Sequence, residues 1–353
     1  MPYLENKALD KVLNKGEDWI QRNLPFCIYR KPNSDKVQGV FQNTDELHKT
    51  EKFKEEGFVF APFDLSKGAI LIQPDERIES THILEEQKVV STIPQSEEGK
   101  LFHINLVCKG LEVIKSGEIQ KVVLSRKIDV QTKRQPIELF TSLLNSYSNA
   151  FCYLFFHPKI GLWCGATPET LVSIKQRKLT TVSLAGTLPI IDNSVPYWEK
   201  KELEEQGVVT SFIQEKLRPY LKKIHSGALE TVRAGKLWHL KTPLTGELLP
   251  DASVVSVVRA LHPTPAVCGL PVNKATAFIL ENEGYDRTFY TGFLGELNLE
   301  GKKEVSLFVN LRCMQLEGGN ARIFVGGGIT AESIPEKEWE ETQNKSRTML
   351  NML

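Results

Sequence analysis

Strand-like runs recur through most of the 353-residue chain, and they do not alternate regularly with helical segments. Short apolar runs fall between residues 24 and 72, and longer ones follow, such as KVVLSRKIDV at residues 121–130. Runs rich in β-branched and aromatic residues are typical of strands. Because neighbouring parallel strands need a helical crossover between them, this arrangement favours antiparallel pairing. The sequence therefore predicts an α+β fold, a single large domain of mostly antiparallel sheets packed with helices.

Helical periodicity appears in only part of the chain, and no repeat or low-complexity linker marks a domain boundary. Residues 73–99 are polar without periodicity and predict a surface loop. We therefore expect one domain that spans residues 1–353. Predicted helices cover residues 1–20, 100–116, 136–146 and 197–224, and a further acidic helix carries Glu338, Glu341 and Lys345.

Composition excludes several classes of partner. The chain has 44 basic and 44 acidic residues, and no block of Lys and Arg, so nucleic acid is not expected to bind. Its apolar runs are far shorter than a membrane span, and the polar N-terminus has no apolar signal core. The six cysteines form no CxxC pair, which favours reduced, buried thiols. These features predict a cytoplasmic protein that acts without a membrane.

Two predicted helices each carry a pair of glutamates. A spacing of three residues places both carboxylates of a pair on one helix face. Four carboxylates that met in the fold would need a cation between them, and an all-oxygen set suits Mg²⁺. Such pairs are more often solvated faces, so the pattern alone favours a plain surface, and Glu341 with Lys345 has the spacing of a surface ion pair. The pairs are Glu202 with Glu205, and Glu338 with Glu341.

Lys121 and Glu169 are candidates for proton transfer. Lys121 begins an apolar strand, where it is either a solvated strand end or a lysine removed from water that can act as a base. Glu169 follows a proline in a turn after two apolar strands. It is either a simple turn residue or, if its surroundings raise its pKa, a general acid. Taken singly, Lys121 fits the simpler interpretation better, and both interpretations of Glu169 stay open.

A second group of residues suggests anion binding. Arg312 lies in the strand-like run SLFVNLRCMQL, and a buried arginine needs a carboxylate or phosphate partner. The partner could be structural or a ligand. The sequence Gly326-Gly327-Gly328 predicts a sharp turn, or a place where backbone N–H groups approach an anion. His239, in a predicted strand, is more often a buried structural histidine than a catalyst.

Many sequence segments together resemble the chorismate-utilising enzymes, also called anthranilate synthase component I-like, and most closely the isochorismate synthases. They occur in the family's order over the last two thirds of the chain. The resemblance implies the aminodeoxychorismate synthase-like fold, with residues 1–99 as a variable part and 100–353 as the motif-bearing part. The segments are KVVLSR, GATPETLV, SLAGT, KELEEQGVV, HLKT, LHPTPAVCGLP, ENEGYDRTFYTGFLGE, LRCMQL, GGGIT and EKEWEETQNKSRTML.

The resemblance implies a reaction in which chorismate becomes isochorismate. Lys121 resembles the general base that activates water for attack on C2 of the ring. Glu169 resembles the general acid that protonates the hydroxyl leaving C4. The enzyme would be an isomerase of the intramolecular hydroxyl-transfer class that serves menaquinone or siderophore biosynthesis, and we expect a monomer.

The resemblance also implies a Mg²⁺ site and a substrate site. Glu205 and Glu341 resemble direct ligands of a Mg²⁺ ion, with Glu202 and Glu338 supporting the ion through water. The ion would hold the ring carboxylate and draw electron density towards it. A clamp on the enolpyruvyl carboxylate would consist of Arg312, Tyr290 and the backbone of Gly326. Further substrate contacts are implied for Gly186, Thr187 and Lys345, with His239 and Thr242 nearby.

Alternatives within and outside the family remain open. Salicylate synthases share the lysine base and then expel pyruvate, and no residue separates them from this chain. Ammonia-using relatives fit less well: anthranilate-type enzymes generally lack a lysine at position 121, and aminodeoxychorismate synthases place a nucleophilic lysine where this chain has Ala185. An inactive homologue that serves as a scaffold is the non-enzyme alternative.

Two positions depart from the family pattern. The first metal helix usually reads Lys-Asp-x-x-Glu-His in the family, whereas here it has Glu202 in place of the aspartate and Gln206 in place of the histidine. The surroundings of the metal ligand Glu205 therefore differ, which can change metal affinity. Val267 stands where related synthases often have leucine, which can change packing around the ring.

Overall fold

A computed structural model describes residues 2–82, 96–190, 195–234, 237–301 and 304–353. Within these ranges the helices are α1 (Pro2–Gln21), α2 (Lys100–Lys115), α3 (Pro136–Ser146), α4 (Lys200–Leu217), α5 (Val254–Leu261), α6 (Val272–Asn282) and α7 (Pro335–Leu350), with short 3₁₀ turns at Leu65–Lys67 and Arg218–Tyr220. No helix in the described ranges has the length and apolar character needed to cross a membrane.

The strands form two large sheets in which neighbouring strands pair antiparallel. In spatial order the first sheet contains β15 (Gly269–Leu270), β7 (Lys121–Gln131), β19 (Asn320–Ile329), β18 (Cys313–Glu317), β9 (Gly161–Thr167), β8 (Phe151–His157), β1 (Phe26–Arg30), β2 (Lys36–Phe41) and β6 (Glu76–Thr81). The second contains β12 (Leu221–Ser226), β14 (Leu237–Leu248), β11 (Lys178–Pro189), β10 (Thr170–Lys175), β17 (Val305–Val309), β16 (Phe293–Leu297), β4 (Gly57–Ala61), β5 (Ala69–Ile72) and β3 (His48–Thr50), and β13 (Glu230–Ala234) also pairs with β14.

The two sheets pack face to face through an aromatic core. Phe151 of the first sheet stacks on Phe308 of the second with ring centroids 4.3 Å apart, and Phe60 lies 4.5 Å from Phe155. Alternation along each strand places these rings on the inner faces and leaves the outer faces for helices. Helices α1 and α3 cover the outer face of the first sheet, and α4 and α5 cover that of the second. The predicted α+β fold of antiparallel sheets is confirmed.

Four local predictions are wrong. The predicted helix over residues 197–224 is too long, because α4 ends at Leu217. Pro219 has no N–H and cannot continue an α-helix, and the chain then enters strand β12. The predicted loop over residues 73–99 contains strand β6, which pairs with β2 although its residues are mostly polar. Residues 83–95 of that loop lie outside the described ranges.

The other two concern the glycine run and Arg312. Gly326, Gly327 and Gly328 do not form a turn but lie within β19, paired with Ser125, Leu124 and Val123 of β7. Arg312 does not lie in a strand but between β17 and β18, with a positive φ of 47°.

The first hundred residues contribute to both sheets. Strands β1, β2 and β6 belong to the first sheet, and β3, β4 and β5 belong to the second. The division of the chain at residue 99 into a variable and a motif-bearing part stays a prediction.

Candidate active site

A cavity lies where β7 and β19 of the first sheet approach β11 and β14 of the second, beneath α4 and α7. Its apolar wall includes Val123, Leu184, Ala185, Ala266, Val267, Leu311, Phe324, Val325 and Met349. Most of the predicted site residues line it: Glu169, Gly186, Thr187, Glu202, Glu205, His239, Tyr290, Arg312, Gly326, Glu341 and Lys345. The fold thus brings together residues that are up to 176 positions apart in the chain, from Glu169 to Lys345.

Lys121 is buried at the start of β7, with 3% of its surface exposed. Its Nζ lies 2.6 Å from Oε1 of Glu205 on α4, so the two side chains form an ion pair. A Cβ added to Gly328 would lie 2.9 Å from Cε of Lys121 and 3.0 Å from Oε1 of Glu205. The absence of a side chain at Gly328 therefore makes room for this pair. Lys121 is not the solvated strand end that its position in the sequence first suggested.

Glu169 is buried in the connection between β9 and β10, and 4% of it is exposed. Its backbone is fixed by β17, because Val309 N donates to Glu169 O across 2.9 Å. Burial raises the pKa of the Glu169 carboxyl to about 7, although the positive charges of Lys121, Arg312 and Lys345 oppose this rise. At neutral pH the carboxyl is therefore partly protonated and can donate a proton, as a general acid must.

Arg312 reaches the cavity from a strained backbone position. Its Nη2 donates to Nε2 of His239 across 2.8 Å, and Nδ1 of His239 lies 3.1 Å from the carbonyl oxygen of Gly186. Burial and the charges of Arg312 and Lys345 hold the pKa of His239 well below its ordinary value, so the ring is neutral. Since Nε2 accepts from Arg312, the ring proton sits on Nδ1 and is donated to Gly186 O. His239 thereby fixes the orientation of the guanidinium group.

Gly326, Tyr290 and Lys345 meet at one side of the cavity. Nζ of Lys345 donates to the carbonyl oxygen of Gly326 across 3.0 Å. A Cβ on Gly326 would lie 3.1 Å from the hydroxyl of Tyr290 and only 2.8 Å from Leu124 O. Tyr290 is buried and stacks on Phe324, with centroids 5.4 Å apart. The hydroxyl, the guanidinium of Arg312 and this glycine backbone face the same cavity, as a clamp on an anion requires.

The four predicted metal-site glutamates lie on α4 and α7 as the sequence suggested. Glu202, Glu205 and Glu341 line the cavity, and Glu338 lines a neighbouring opening together with Glu202 and Glu341. A Cβ on Gly327 would lie 3.4 Å from oxygens of both Glu338 and Glu341. The carboxylates of the two helices therefore border adjacent glycines of β19.

The carboxylate oxygens fit a hard cation such as Mg²⁺ in chemistry, but they do not form a ready-made cage. Within the described ranges no three His, Cys, Asp or Glu side chains stand close enough to hold a metal ion as they lie. Two of these carboxylates already contact an ammonium group, because Lys121 lies 2.6 Å from Glu205 and Lys345 lies 2.7 Å from Glu341. Oε2 of Glu202 is buried and has no hydrogen-bond partner among the described residues, which suits a donor for an ion or its water.

Gln206 holds α4 against the second sheet. Its Nε2 donates to Ser183 O on β11 and to Thr242 Oγ1 on β14, each across 3.0 Å. The predicted site residue Thr242 is thus placed behind α4 and does not line the cavity. Gly186 interrupts β11 with a φ of 73°, a conformation that favours glycine, and a Cβ there would lie 3.3 Å from Cβ of Glu202. These contacts position the helix that carries Glu202 and Glu205.

A buried network beside the cavity was not predicted. Arg287 pairs with Glu283 and also donates to the carbonyl oxygens of Val123 and Val267, across 2.7 and 2.9 Å. Glu283 in turn accepts from the backbone N–H and the hydroxyl of Ser125. One ion pair thus connects β7 to the segment around Val267, and both segments line the cavity. The spacing of four residues between Glu283 and Arg287 could have predicted their ion pair from the sequence. It could not have predicted the bonds to Val123, Val267 and Ser125.

Two stacked antiparallel sheets that meet at a charge-lined cavity define an α+β protein with a candidate small-molecule site. The chain belongs to the family described as chorismate binding enzyme, whose family model matches residues 69–353.

Individual relatives agree with this assignment. Isochorismate synthase DhbC of Bacillus subtilis is 32% identical over 322 residues, which cover 83% of this chain and 79% of that protein. Isochorismate synthase MenF of Haemophilus influenzae is 31% identical over 258 residues, covering 70% of this chain and 59% of that protein. The crystal structure of DhbC from Bacillus anthracis aligns with a TM-score of 0.81 at 27% identity, covering 93% of this chain and 96% of that one.

Proposed function

We propose that this protein is an isochorismate synthase, a Mg²⁺-dependent isomerase that converts chorismate to isochorismate. The observation that carries the proposal is the placement of a buried lysine and a buried carboxyl of near-neutral pKa beside one cavity that also holds Arg312. Relatives that bear the name isochorismate synthase support it. We further propose that it acts in the cytoplasm as a monomer, and that its product enters menaquinone or siderophore biosynthesis.

Substrate binding rests on groups that face the cavity. Arg312, held by His239, would form a bidentate contact with the enolpyruvyl carboxylate, and the hydroxyl of Tyr290 and the Gly326 backbone would complete that clamp. Thr187, whose Oγ1 lies 3.3 Å from Nδ1 of His239, would contact the substrate from β11. A Mg²⁺ ion held by Glu205 and Glu341, with Glu202 and Glu338 behind it, would supply positive charge for the ring carboxylate.

Proton transfer then falls to two residues. Lys121 acts in its uncharged form, released from the ion pair with Glu205, and accepts a proton from the water that forms the new bond at C2 of the ring. The ring double bonds shift, and the bond from C4 to its hydroxyl breaks as Glu169 donates a proton, so that one water enters and one water leaves. Lys121 therefore ends the step with one more proton and Glu169 with one fewer. Because one water enters and one leaves, the overall reaction is an isomerisation.

The test is incubation of the purified protein with chorismate, with and without Mg²⁺, followed by identification of products by NMR. The proposal predicts isochorismate in a mixture with chorismate, formed only with Mg²⁺. Salicylate and pyruvate would instead assign a salicylate synthase and leave the site residues in place. No conversion under either condition would overturn the proposal, and added ammonium would then test for an ammonia-using relative.

A further inference from the structure

We propose that Lys121 and Lys345 act as internal counter-ions of Glu205 and Glu341, and that they compete with Mg²⁺ for these carboxylates in the substrate-free protein. The inference rests on the proposed function for the identity of the cation. It concerns how tightly the protein holds the ion before substrate arrives, which the family resemblance does not address.

The two ion pairs are alike in form. Nζ of Lys121 lies 2.6 Å from Oε1 of Glu205, and Nζ of Lys345 lies 2.7 Å from Oε1 of Glu341. Each glutamate proposed as a direct ligand thus has one carboxylate oxygen in contact with an ammonium group. A divalent cation that took the same oxygen would have to displace the ammonium or bind beside a like charge.

Burial limits how easily the lysines can give way. The Lys121 side chain is 4% exposed and its partner Glu205 is 17% exposed, whereas Lys345 and Glu341 are 22% and 29% exposed. Screening by water is therefore weak at Lys121 and stronger at Lys345. Lys345 has a second acceptor, because its Nζ also donates to Gly326 O, so it can leave Glu341 without losing every hydrogen bond.

The two ion pairs place an ammonium group, and not a free oxygen, at one side of each proposed ligand on α4 and α7. Glu202 contributes a buried Oε2 without a hydrogen-bond partner among the described residues, but one such atom does not offset two ammonium charges. Removing one ammonium should therefore strengthen Mg²⁺ binding, even when the removed residue is needed for turnover.

The test is calorimetric titration of Mg²⁺ into substrate-free protein. Lys345→Met, at the more exposed pair, is the first variant because it disturbs packing least, and Lys121→Met is the second. Lys337→Met is the matched control, since Lys337 is exposed on the same helix and borders the same opening as Glu338 and Glu341. It removes one positive charge without breaking either pair. Circular dichroism and melting temperature establish that each variant is folded.

We expect the dissociation constant for Mg²⁺ to fall at least tenfold in Lys345→Met and to change less than twofold in Lys337→Met. An unchanged or higher dissociation constant for Mg²⁺ in Lys345→Met would overturn the inference. An equal rise in Mg²⁺ affinity in Lys337→Met would also overturn it, because it would show a general charge effect. The titration contains no chorismate. If the native protein does not convert chorismate but Lys345→Met binds Mg²⁺ more tightly, only the proposed function is refuted. If the native protein is active but Lys345→Met binds Mg²⁺ no more tightly, only the counter-ion role is refuted.

Discussion

Arg312 donates a hydrogen bond from Nη2 to Nε2 of His239 across 2.8 Å, and this contact fixes the direction of the guanidinium group. The imidazole stays neutral because burial and neighbouring positive charge lower its pKa. The arginine occupies a backbone conformation with positive φ, which is unusual for a residue with a side chain and is common at functional sites. His239 is thus a positioning residue for the proposed carboxylate clamp.

Replacing His239 should weaken substrate binding more than it slows chemistry. His239→Leu removes the acceptor for Arg312, and a hydrogen bond to a charged group contributes about 1.5–3 kcal/mol. We expect KM for chorismate to rise by about tenfold to a hundredfold, with a smaller change in kcat. His239→Gln, whose side-chain oxygen can take the place of Nε2, should recover part of the loss. Equal KM values for the two variants would contradict this role.

The activity should decline as pH rises through the pKa of Glu169. A general acid must be protonated, and a pKa of about 7 leaves half of the Glu169 carboxyl protonated at that pH. We expect kcat to fall roughly tenfold per pH unit well above pH 7, and Glu169→Gln to lower kcat by about 10²–10⁴-fold. The measurement is kcat from pH 6 to pH 9. A flat profile in this range, or near-normal turnover by Glu169→Gln, would remove Glu169 from the mechanism.

The same residue should make the fold less stable at alkaline pH. The pKa of the Glu169 carboxyl is 4.5 ordinarily and about 7 in the folded protein, so folded protein binds the proton more tightly. Its contribution is fully present below about pH 4.5 and is lost as pH rises through about 7. Glu169→Gln, which never ionises, should therefore gain stability over the native chain of on the order of 3 kcal/mol at pH 8 and much less at pH 5. Urea unfolding at both pH values measures this, and an equal difference at both would contradict it.

A methyl group at Gly328 should disturb the pair of Lys121 and Glu205. The added Cβ would lie 2.9–3.0 Å from atoms of both residues, whereas a Cβ at Gly327 meets its nearest atoms at an ordinary 3.4 Å. We expect Gly328→Ala to lower kcat at least tenfold and Gly327→Ala to lower it much less, while melting temperatures change little. Similar losses in both variants would indicate a general effect on β19 and not one on the ion pair.

Breaking the buried pair of Glu283 and Arg287 should strongly destabilise the fold. Arg287→Leu would leave a buried carboxylate without its cation, which costs about 3–5 kcal/mol. The double variant with Glu283→Gln removes that uncompensated charge and should be more stable than Arg287→Leu alone. Thermal and urea unfolding of the two single variants and the double variant form the cycle. Strictly additive losses would show that the two side chains are not coupled.

The sequence predicted the site best where residues of one chemical type recur at helical spacing. The spacing of Glu202 with Glu205 and of Glu338 with Glu341 places each pair on a helix, and the structure has both helices. That spacing does not reveal that α4 and α7 face one cavity. The family resemblance, and not periodicity, predicted that the two glutamate pairs form one site, because the contacts that bring α4 and α7 together are tertiary.

Contacts between distant segments explain what the sequence did not predict. The glycine run predicts a turn when only neighbours are considered, yet it pairs with β7, about two hundred residues earlier in the chain, and forms a strand. Arg287 bonds to Val123 O, 164 positions away, and no local pattern indicates that acceptor. Pro219, by contrast, was a readable signal that α4 ends before residue 224.

The most direct test of the account is conversion of chorismate in water enriched in ¹⁸O, with Mg²⁺ present, for the native chain and for Lys121→Ala. If Lys121 activates water for attack on C2, the isochorismate formed must carry one ¹⁸O, at its C2 hydroxyl, and folded Lys121→Ala must form none. Isochorismate without label would show that the hydroxyl migrates within the substrate, and labelled product from Lys121→Ala at the native rate would show that another group is the base. Either result would contradict the mechanism proposed for this cavity.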